Sequence, residues 1–143
     1  MSRKPETVGI AAVHRHLKEV HHEKMNNPYR SGTADVWYSG KQGDLWVEYK
    51  FIQRPPKFVI PDLSTLQKLW LKERYLEGRN VAVIVLSKGG GVRFRSPEVW
   101  EAGMSREHFL EAFVDNRILA LWIKEQTGEC VCLSAKEFSL PPE

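Results

Sequence analysis

The sequence has few cysteines and no long apolar run, and both absences limit the classes of protein to which the chain can belong. Cys130 and Cys132 are the only two cysteines, separated by one residue in a predicted strand. Their side chains would point to opposite faces, where they cannot readily form a disulfide. With no second cysteine pair, neither a disulfide framework nor a structural zinc site of the usual kind is expected.

The apolar segments are too short to cross a membrane. None approaches the roughly 18 consecutive apolar residues that a spanning helix needs, and the first residues lack the apolar stretch of a secretory signal. The sequence therefore predicts a soluble, intracellular protein that does not bind a membrane. At 143 residues, of which 42% are hydrophobic, the chain is large enough for one well-packed domain and too small for two of ordinary size.

Positive charge is concentrated in the first part of the chain. Residues 1–80 contain 14 Lys and Arg against 9 Asp and Glu, whereas residues 81–143 contain 7 against 9. A basic surface suits a partner that carries phosphates. Ordinary solubility charge explains the asymmetry almost as well, so the asymmetry alone decides nothing.

Two acidic residues and a lysine flank a predicted hairpin. Asp35 precedes a short apolar segment, and Glu48 and Lys50 lie in the mostly apolar segment 45–52. The glycine-containing loop 39–44 is of hairpin length, which predicts two adjacent antiparallel strands and brings Asp35 towards Glu48. Because successive strand residues point to opposite faces, Glu48 and Lys50 emerge side by side. Two carboxylates and an ammonium suit phosphodiester hydrolysis with a hard divalent cation.

Alternatively, Glu48 and Lys50 form a surface charge pair without a catalytic role, because neighbouring Glu and Lys are frequent charge pairs on exposed strands. The aromatic and aliphatic residues around them instead predict a mostly buried strand. Charged residues are rare in such strands without a function. We therefore interpret both as site residues.

The order of these residues resembles the PD-(D/E)XK nuclease superfamily, and more narrowly its VRR-Nuc and Holliday junction resolvase branch. That branch has a helical Glu, then Gly-x-Pro-Asp, then Glu-x-Lys at the end of an apolar strand, then a helix that carries a Gln. The chain offers, in this order, Glu6, Gly32-Thr33-Ala34-Asp35, Glu48-Tyr49-Lys50 and Gln67. The resemblance covers about residues 6–87 and departs from the family at Ala34, where the family usually has Pro.

The resemblance implies a Mg²⁺- or Mn²⁺-dependent endonuclease that acts on DNA. Asp35, Glu48 and the backbone carbonyl of Tyr49 would ligate the metal. Lys50 would orient or deprotonate the attacking water, and Glu6 would assist a metal or its water. The basic residues nearest to these motifs are candidates for DNA contact. They are Arg30, Lys41, Arg54, Lys57 and Lys68.

A first helix is predicted from Glu6 to about Lys24, because apolar residues recur at spacings of three and four. These residues are Ile10, Val13, Leu17 and Val20. Glu6 falls near the middle of this stripe, Glu23 near its margin and Glu19 well away from it. Glu6 is therefore the favoured helical carboxylate, with Glu23 and then Glu19 as substitutes. Alternatively, a first-turn Glu merely favours the positive end of the helix and lies in solvent.

Four histidines, His14, His16, His21 and His22, fall within the same predicted helix. No pair among them has the spacing of three or four that places two metal ligands on one helix face. We expect them to line a polar face rather than to bind a metal.

A second helix is predicted to begin at Ser64 and to end at Gly78. Ser64 and Gln67 match the Ser-x-x-Gln capping box, and Gly78 suits the end of a helix. Gln67 thus has two interpretations of equal weight. It satisfies the free amide of Ser64, or it reaches towards the metal-bound water or a phosphate as the family's Gln would. Both hold only if the side chain samples two positions.

The rest of the chain predicts a strand buried on both faces, a glycine turn, a short strand with two arginines on one side, two helices and two final strands. These segments are Val81–Leu86, Gly89–Gly91, Val92–Arg95, Glu98–Ala102, Arg106–Val114, Arg117–Lys124 and Glu129–Leu133.

Together these elements predict an α/β fold with a central mixed β-sheet flanked by helices, built on an α-β-β-α-β core like that of restriction endonucleases. A single nuclease domain would span residues 1–143. Its core would be about residues 6–87, and residues 92–143 would be a C-terminal α/β elaboration.

The expected substrate stays open between four-way junctions, flaps, nicked duplex and a specific target site. Resolving a junction or cutting a specific site requires two active sites, so a homodimer is expected in those cases. Two other classes are open. One is a module that binds nucleic acid without cutting it, and the other is a structural or interaction protein in which exposed Trp100 and Trp122 form a docking patch.

Overall fold

The computed structural model describes residues 4–18, 20–25 and 32–128. Within them the helices are α1 (Pro5–His14), α2 (Thr65–Leu76), α3 (Pro97–Ala102), α4 (Arg106–Ala112) and α5 (Asn116–Thr127). The strands are β1 (His21–Lys24), β2 (Val36–Ser39), β3 (Asp44–Phe51), β4 (Phe58–Val59), β5 (Val81–Ser87), β6 (Gly90–Phe94), β7 (Met104–Ser105) and β8 (Val114–Asp115). None of these helices is long and apolar enough to cross a membrane.

Six of the described strands form one mixed sheet in the order β1-β2-β3-β5-β6-β8. Strands β3 and β5 run parallel, and the other neighbours run antiparallel. Val36 pairs with Val47 and Ser39 with Asp44, which confirms the predicted hairpin. Strands β4 and β7 pair in a separate two-stranded sheet. The predicted α/β fold with a central mixed sheet flanked by helices is confirmed.

Side-chain alternation along the strands divides the core into two layers. Strand β5 shows this most clearly, because its residues from Val81 to Leu86 are all buried and belong alternately to the two layers, as predicted for a strand covered on both faces. On one face, helices α1 and α5 cover Val36, Tyr38, Val47, Tyr49, Ile84 and Leu86. On the other face, helices α2, α3 and α4 cover Val81, Val83, Val85, Val92 and Phe94.

The first helix ends at His14, so the predicted extension to about Lys24 is wrong. Leu17 and Val20 are buried with the α1 layer, although they lie outside the helix. Their apolar spacing therefore reflects burial of a turn. Residues 21–24 form an edge strand instead, because their backbone pairs with β2, and this long-range pairing overrides the helical pattern.

The predicted strand Arg117–Lys124 is also wrong, because these residues belong to helix α5. Asp115 caps this helix through its Oδ1 atom, which accepts a hydrogen bond from the Ile118 N–H at 2.9 Å. Gly128 ends the helix in the left-handed conformation, with a φ of 75°. The predicted helix Arg106–Val114 ends two residues earlier, at Ala112. The predicted strand Glu129–Leu133, with Cys130 and Cys132, lies outside the described residues.

Trp100 and Trp122 do not form an exposed patch, because they are only 0% and 5% exposed. Trp100 is buried in the layer under α2, α3 and α4. Trp122 packs in the layer under α1 and α5, and the guanidinium groups of Arg93 and Arg95 lie 5.7 and 5.5 Å from its ring centre. Both arginines thus lie on one side of the sheet, as the alternation of β6 predicted.

Candidate active site

Glu48 and Lys50 lie on the face of β3 that helix α2 covers, and Asp35 directly precedes the neighbouring strand β2. Because Val36 pairs with Val47, Asp35 comes to the level of Glu48. Glu48 is only 2% exposed, whereas the Lys50 side chain is 23% exposed. The sheet therefore buries one carboxylate and leaves the ammonium beside it accessible to a substrate.

Gln67 links the two β3 residues from the first turn of α2. Its Nε2 donates to Glu48 Oε2 at 3.1 Å, and its Oε1 accepts from Lys50 Nζ at 3.2 Å. The same Oε1 accepts from the Ser64 N–H at 3.0 Å, while the Ser64 hydroxyl accepts from the Gln67 N–H. Capping of Ser64 and contacts with both β3 residues therefore coexist in one conformation, whereas a contact of Gln67 with a metal-bound water or a phosphate stays a prediction. One amide suffices because it has two donor hydrogens and an oxygen with two lone pairs.

Two further contacts fix the geometry. Lys50 Nζ lies 3.5 Å from Glu48 Oε2, within ion-pair distance. Asp35 Oδ2 accepts a hydrogen bond from the Tyr49 backbone N–H at 2.9 Å, which holds its carboxylate at the edge of β3. We call Asp35, Glu48, Lys50 and Gln67 the charged cluster.

The electrostatics of the charged cluster favour an added positive charge. Burial, and after it the negative charge of Asp35, raises the pKa of Glu48 to about 8, despite the opposing effect of the Lys50 ammonium. Burial and Asp35 also raise the pKa of Glu6, which Lys50 lowers. Glu6 is therefore within electrostatic range of the cluster, and its role as the helical carboxylate stays a prediction. Glu23 is exposed on β1, and Glu19 lies outside the described residues.

The residues present fit a hard divalent cation. The buried Glu48 Oε1 has no hydrogen-bond partner in the described part of the chain, and an acceptor of this kind is costly to bury without a partner. No group of three or more His, Cys, Asp or Glu side chains in that part is arranged to hold a metal. Mg²⁺ does not need such a group, because it commonly uses one or two carboxylates and completes its shell with waters and substrate oxygens.

The candidate DNA contacts are spread over the molecule. Lys41 lies in the hairpin turn, at the opposite end of the β2–β3 ladder from Asp35. Arg54 and Lys57 are exposed in the segment after β3, and Lys68 is exposed on α2, directly after Gln67. Arg30 lies outside the described residues.

A second polar cluster, on the opposite face of β3, was not predicted. His14 Nε2 and the Tyr38 hydroxyl lie 2.8 Å apart, and Tyr38 also hydrogen-bonds the Tyr49 hydroxyl. We call these three residues the neutral cluster. Strand alternation in the sequence places Tyr38 and Tyr49 on one face of the sheet. Their partner His14 comes from helix α1, and the sequence gives no sign of this contact.

No protein-family model matches the chain, and no curated protein matches it. Its fold is similar to the solved structure of Archaeoglobus fulgidus Hjc, a Holliday junction resolvase from an archaeal hyperthermophile. The TM-score is 0.55 and the sequence identity 13%, over 80% of this chain and 98% of that chain. At this identity the likeness shows the fold alone. The narrower resemblance to the VRR-Nuc branch stays a prediction.

Proposed function

We propose that the protein is a divalent-metal-dependent endonuclease that hydrolyses phosphodiester bonds in DNA. The observation that carries the proposal is Glu48, a carboxylate that is buried, has one oxygen without a partner among the described residues, and lies beside Asp35 and Lys50. A buried carboxylate pair of this kind is unfavourable without a compensating charge. The cation that would compensate it can also promote phosphodiester hydrolysis, by polarising a phosphoryl oxygen and activating water.

In this proposal Asp35, Glu48 and the Tyr49 carbonyl hold Mg²⁺ or Mn²⁺. Bound there, the cation would supply Lewis-acid polarisation of the phosphate and a lowered pKa for a water molecule. Asp35 is preoriented for this task, since the Tyr49 N–H fixes one of its oxygens. Glu6 adds a third negative charge at longer range and assists the metal or its water.

Lys50 is the hydrogen-bond donor that faces the substrate in this proposal. Its ammonium is partly exposed, and the Gln67 oxygen holds it 3.5 Å from Glu48. From this position it donates to the attacking water or to a phosphate oxygen on which negative charge develops. Gln67 acts through Lys50 and Glu48 and is a positioning residue.

The substrate class is the finer part of the proposal. The fold resembles that of a protein described as a Holliday junction resolvase, which favours a structure-selective enzyme. A four-way junction has two strands to cut, so a homodimer would supply two active sites. The exposed Arg54, Lys57 and Lys68 would contact phosphates, and one nuclease domain would span residues 1–143.

The test is cleavage by the purified protein with Mg²⁺ or Mn²⁺ on supercoiled plasmid, linear duplex, single strand, nicked duplex, flap and four-way junction. Glu48→Gln removes one charge and keeps the side-chain size. Asp44→Asn is the matched control, because Asp44 is an exposed carboxylate at the far end of the same strand. Metal-dependent cleavage that Glu48→Gln abolishes and Asp44→Asn retains is the expected result. Silence on every substrate with DNA still bound would instead favour a non-cutting module.

A further inference from the structure

A row of aromatic rings crosses the sheet beside the charged cluster. It runs from His21 on β1 through Trp37 on β2 and Trp46 on β3 to Trp70 on α2. The ring centres are 5.7 Å apart for His21 and Trp37, 6.0 Å for Trp37 and Trp46, and 5.5 Å for Trp46 and Trp70. We call these four side chains the aromatic row.

The aromatic row is in register with the charged cluster. Trp37 follows Asp35 by two residues, and Trp46 precedes Glu48 by two. Residues two apart on a strand share a face and lie about 7 Å apart. Trp70 follows Gln67 by three residues on α2, a spacing that makes helix neighbours. Each of the three tryptophans is thus a neighbour of one member of the candidate site on the same strand or helix, and His21 extends the row beyond Trp37.

Trp37 is the ring that core packing does not explain. Trp46 and Trp70 pack against the buried layer under α2, whereas Trp37 belongs to neither buried layer of the described residues. Its ring is partly exposed although its Nε1 atom is buried, and its ring neighbours there are His21 and Trp46. Helices α1 and α5 cover the other face of β2, and Trp37 extends the row towards β1, the outermost strand on that side among the described residues.

The charges around Trp37 favour a base over a phosphate. Glu23 pairs with Trp37 across the β1–β2 ladder, and its carboxylate contacts His21 at 3.1 Å. A phosphate over the ring would meet this negative charge. Lys50, by contrast, lies beside Asp35 and Glu48 and is placed for the DNA backbone. Stacking on a planar ring does not depend on the identity of the base, because every base has a π-face.

From this arrangement we infer that Trp37, extended by His21, stacks an unpaired nucleobase of DNA next to the phosphate that the charged cluster engages. The inference rests on the proposed function and deepens it by naming the substrate class. A base inside a duplex is already stacked on its neighbours, so only an unpaired base can stack on Trp37. The preferred substrate therefore has unpaired nucleotides beside the cut, as in a flap, a splayed arm or a single strand.

The experiment compares binding of two labelled single strands by fluorescence anisotropy in EDTA, where cleavage is absent. One is oligothymidylate, and the other is the same strand with abasic sites at its centre. We expect the parent to bind the complete strand about tenfold more tightly, the scale of one stacked base. Trp37→Leu should bind both strands with the abasic affinity, and Trp37→Phe should restore most of the difference.

If Trp37 has only a structural role, another pattern is expected. Its substitution would then weaken the binding of both DNA strands equally, and Trp37→Leu and Trp37→Phe would bind alike. That pattern, or a parent that does not distinguish the two strands, would overturn the inference. Phe58→Leu is the matched control, since Phe58 is an exposed aromatic residue in the separate two-stranded sheet. Thermal melting of Trp37→Leu shows whether the variant is folded.

The same measurements separate this inference from the proposed function. If Trp37→Leu removes base-dependent binding but no substrate is cleaved, the stacking surface is supported and the nuclease proposal is refuted. If cleavage depends on metal but binding does not depend on the bases, the nuclease proposal is supported and the stacking surface is refuted.

Discussion

The charged and neutral clusters lie back to back on strand β3, and they differ in how their polar atoms are satisfied. In the neutral cluster the Tyr38 hydroxyl bridges His14 and Tyr49, so each side chain has a partner within the cluster. In the charged cluster the Glu48 Oε1 atom is buried and has none among the described residues. The first cluster is complete as it stands, whereas the second is complete only with a further positive charge.

Burial acts on both clusters and has opposite consequences. It lowers the pKa of His14 to about 4 and raises the pKa values of Tyr38 and Tyr49, so all three are uncharged at neutral pH and share hydrogen bonds. It raises the pKa of Glu48 to about 8, with the negative charge of Asp35 as the second cause, and Glu48 Oε1 has no hydrogen-bond partner among the described residues. Burial alone therefore does not mark a functional site, but burial with an unsatisfied charge does.

The largest effect that would sharpen this comparison is expected for Asp35→Asn. The amide keeps an oxygen that can accept the Tyr49 N–H, so the fold should survive. The lost charge should remove metal binding, and cleavage should fall by roughly three orders of magnitude or more. Calorimetric titration with Mn²⁺ and the cleavage rate measure the two effects. Retained metal binding with lost cleavage would show that Asp35 acts on the water and is not a ligand.

Lys50→Ala separates catalysis from metal binding. The ammonium is not a ligand, so metal binding should persist, while cleavage should fall about 10² to 10⁴-fold because the donor to the developing charge is lost. Lys72→Ala is the control, since Lys72 is an exposed lysine of α2. Cleavage by Lys50→Ala at the parent rate would show that the role given to this lysine is wrong.

Asp35, Glu48 and Lys50 were predictable from the sequence because their geometry is local. A hairpin loop sets the register between the two strands, and alternation sets the face. Gln67 was predictable as a cap, but its simultaneous contacts with β3 depend on how α2 packs across the sheet.

The elements that the sequence did not predict depend on distant partners. Strand β1 forms because β2 offers a free edge, and this pairing is invisible in the spacing of Leu17 and Val20. Helix α5 was mistaken for a strand although its caps, Asp115 and Gly128, are sequence signals. A short apolar segment is compatible with a strand or a buried helix, and in this segment the cap at Asp115 marks the helix.

A smaller effect distinguishes the two roles of Gln67. Ser64→Ala removes the capping hydroxyl, and Gln67→Ala removes its reciprocal partner, so each should lower the free energy of unfolding by about 1 kcal/mol. Only Gln67→Ala should also slow cleavage, by about tenfold, because Lys50 and Glu48 lose their common partner. Urea unfolding and cleavage rates measure both variants. Equal loss of cleavage in the two variants would assign the effect to the helix end.

The smallest effect on cleavage is expected in the neutral cluster, where His14→Gln should leave the rate unchanged. Its effect should appear in the dependence of stability on pH. The pKa of His14 is about 4 in the folded protein, below the usual 6.5, because burial and then His22 disfavour the charged ring. As the pH falls from about 6.5 to about 4, the unfolded chain binds a proton at His14 that the folded protein does not, so the parent loses stability.

Glutamine does not titrate, so His14→Gln should lose less of its free energy of unfolding across this interval, by roughly 1–2 kcal/mol once partial solvent access is allowed for. His22, whose pKa burial also lowers, keeps some of the dependence in the variant. Urea unfolding at pH 7, 5.5 and 4.5 measures the difference. Identical pH dependence in parent and variant would mean that His14 is protonated as easily in the folded protein as in the unfolded chain. A fall in cleavage rate at pH 7 would mean that the two faces of β3 act as one site.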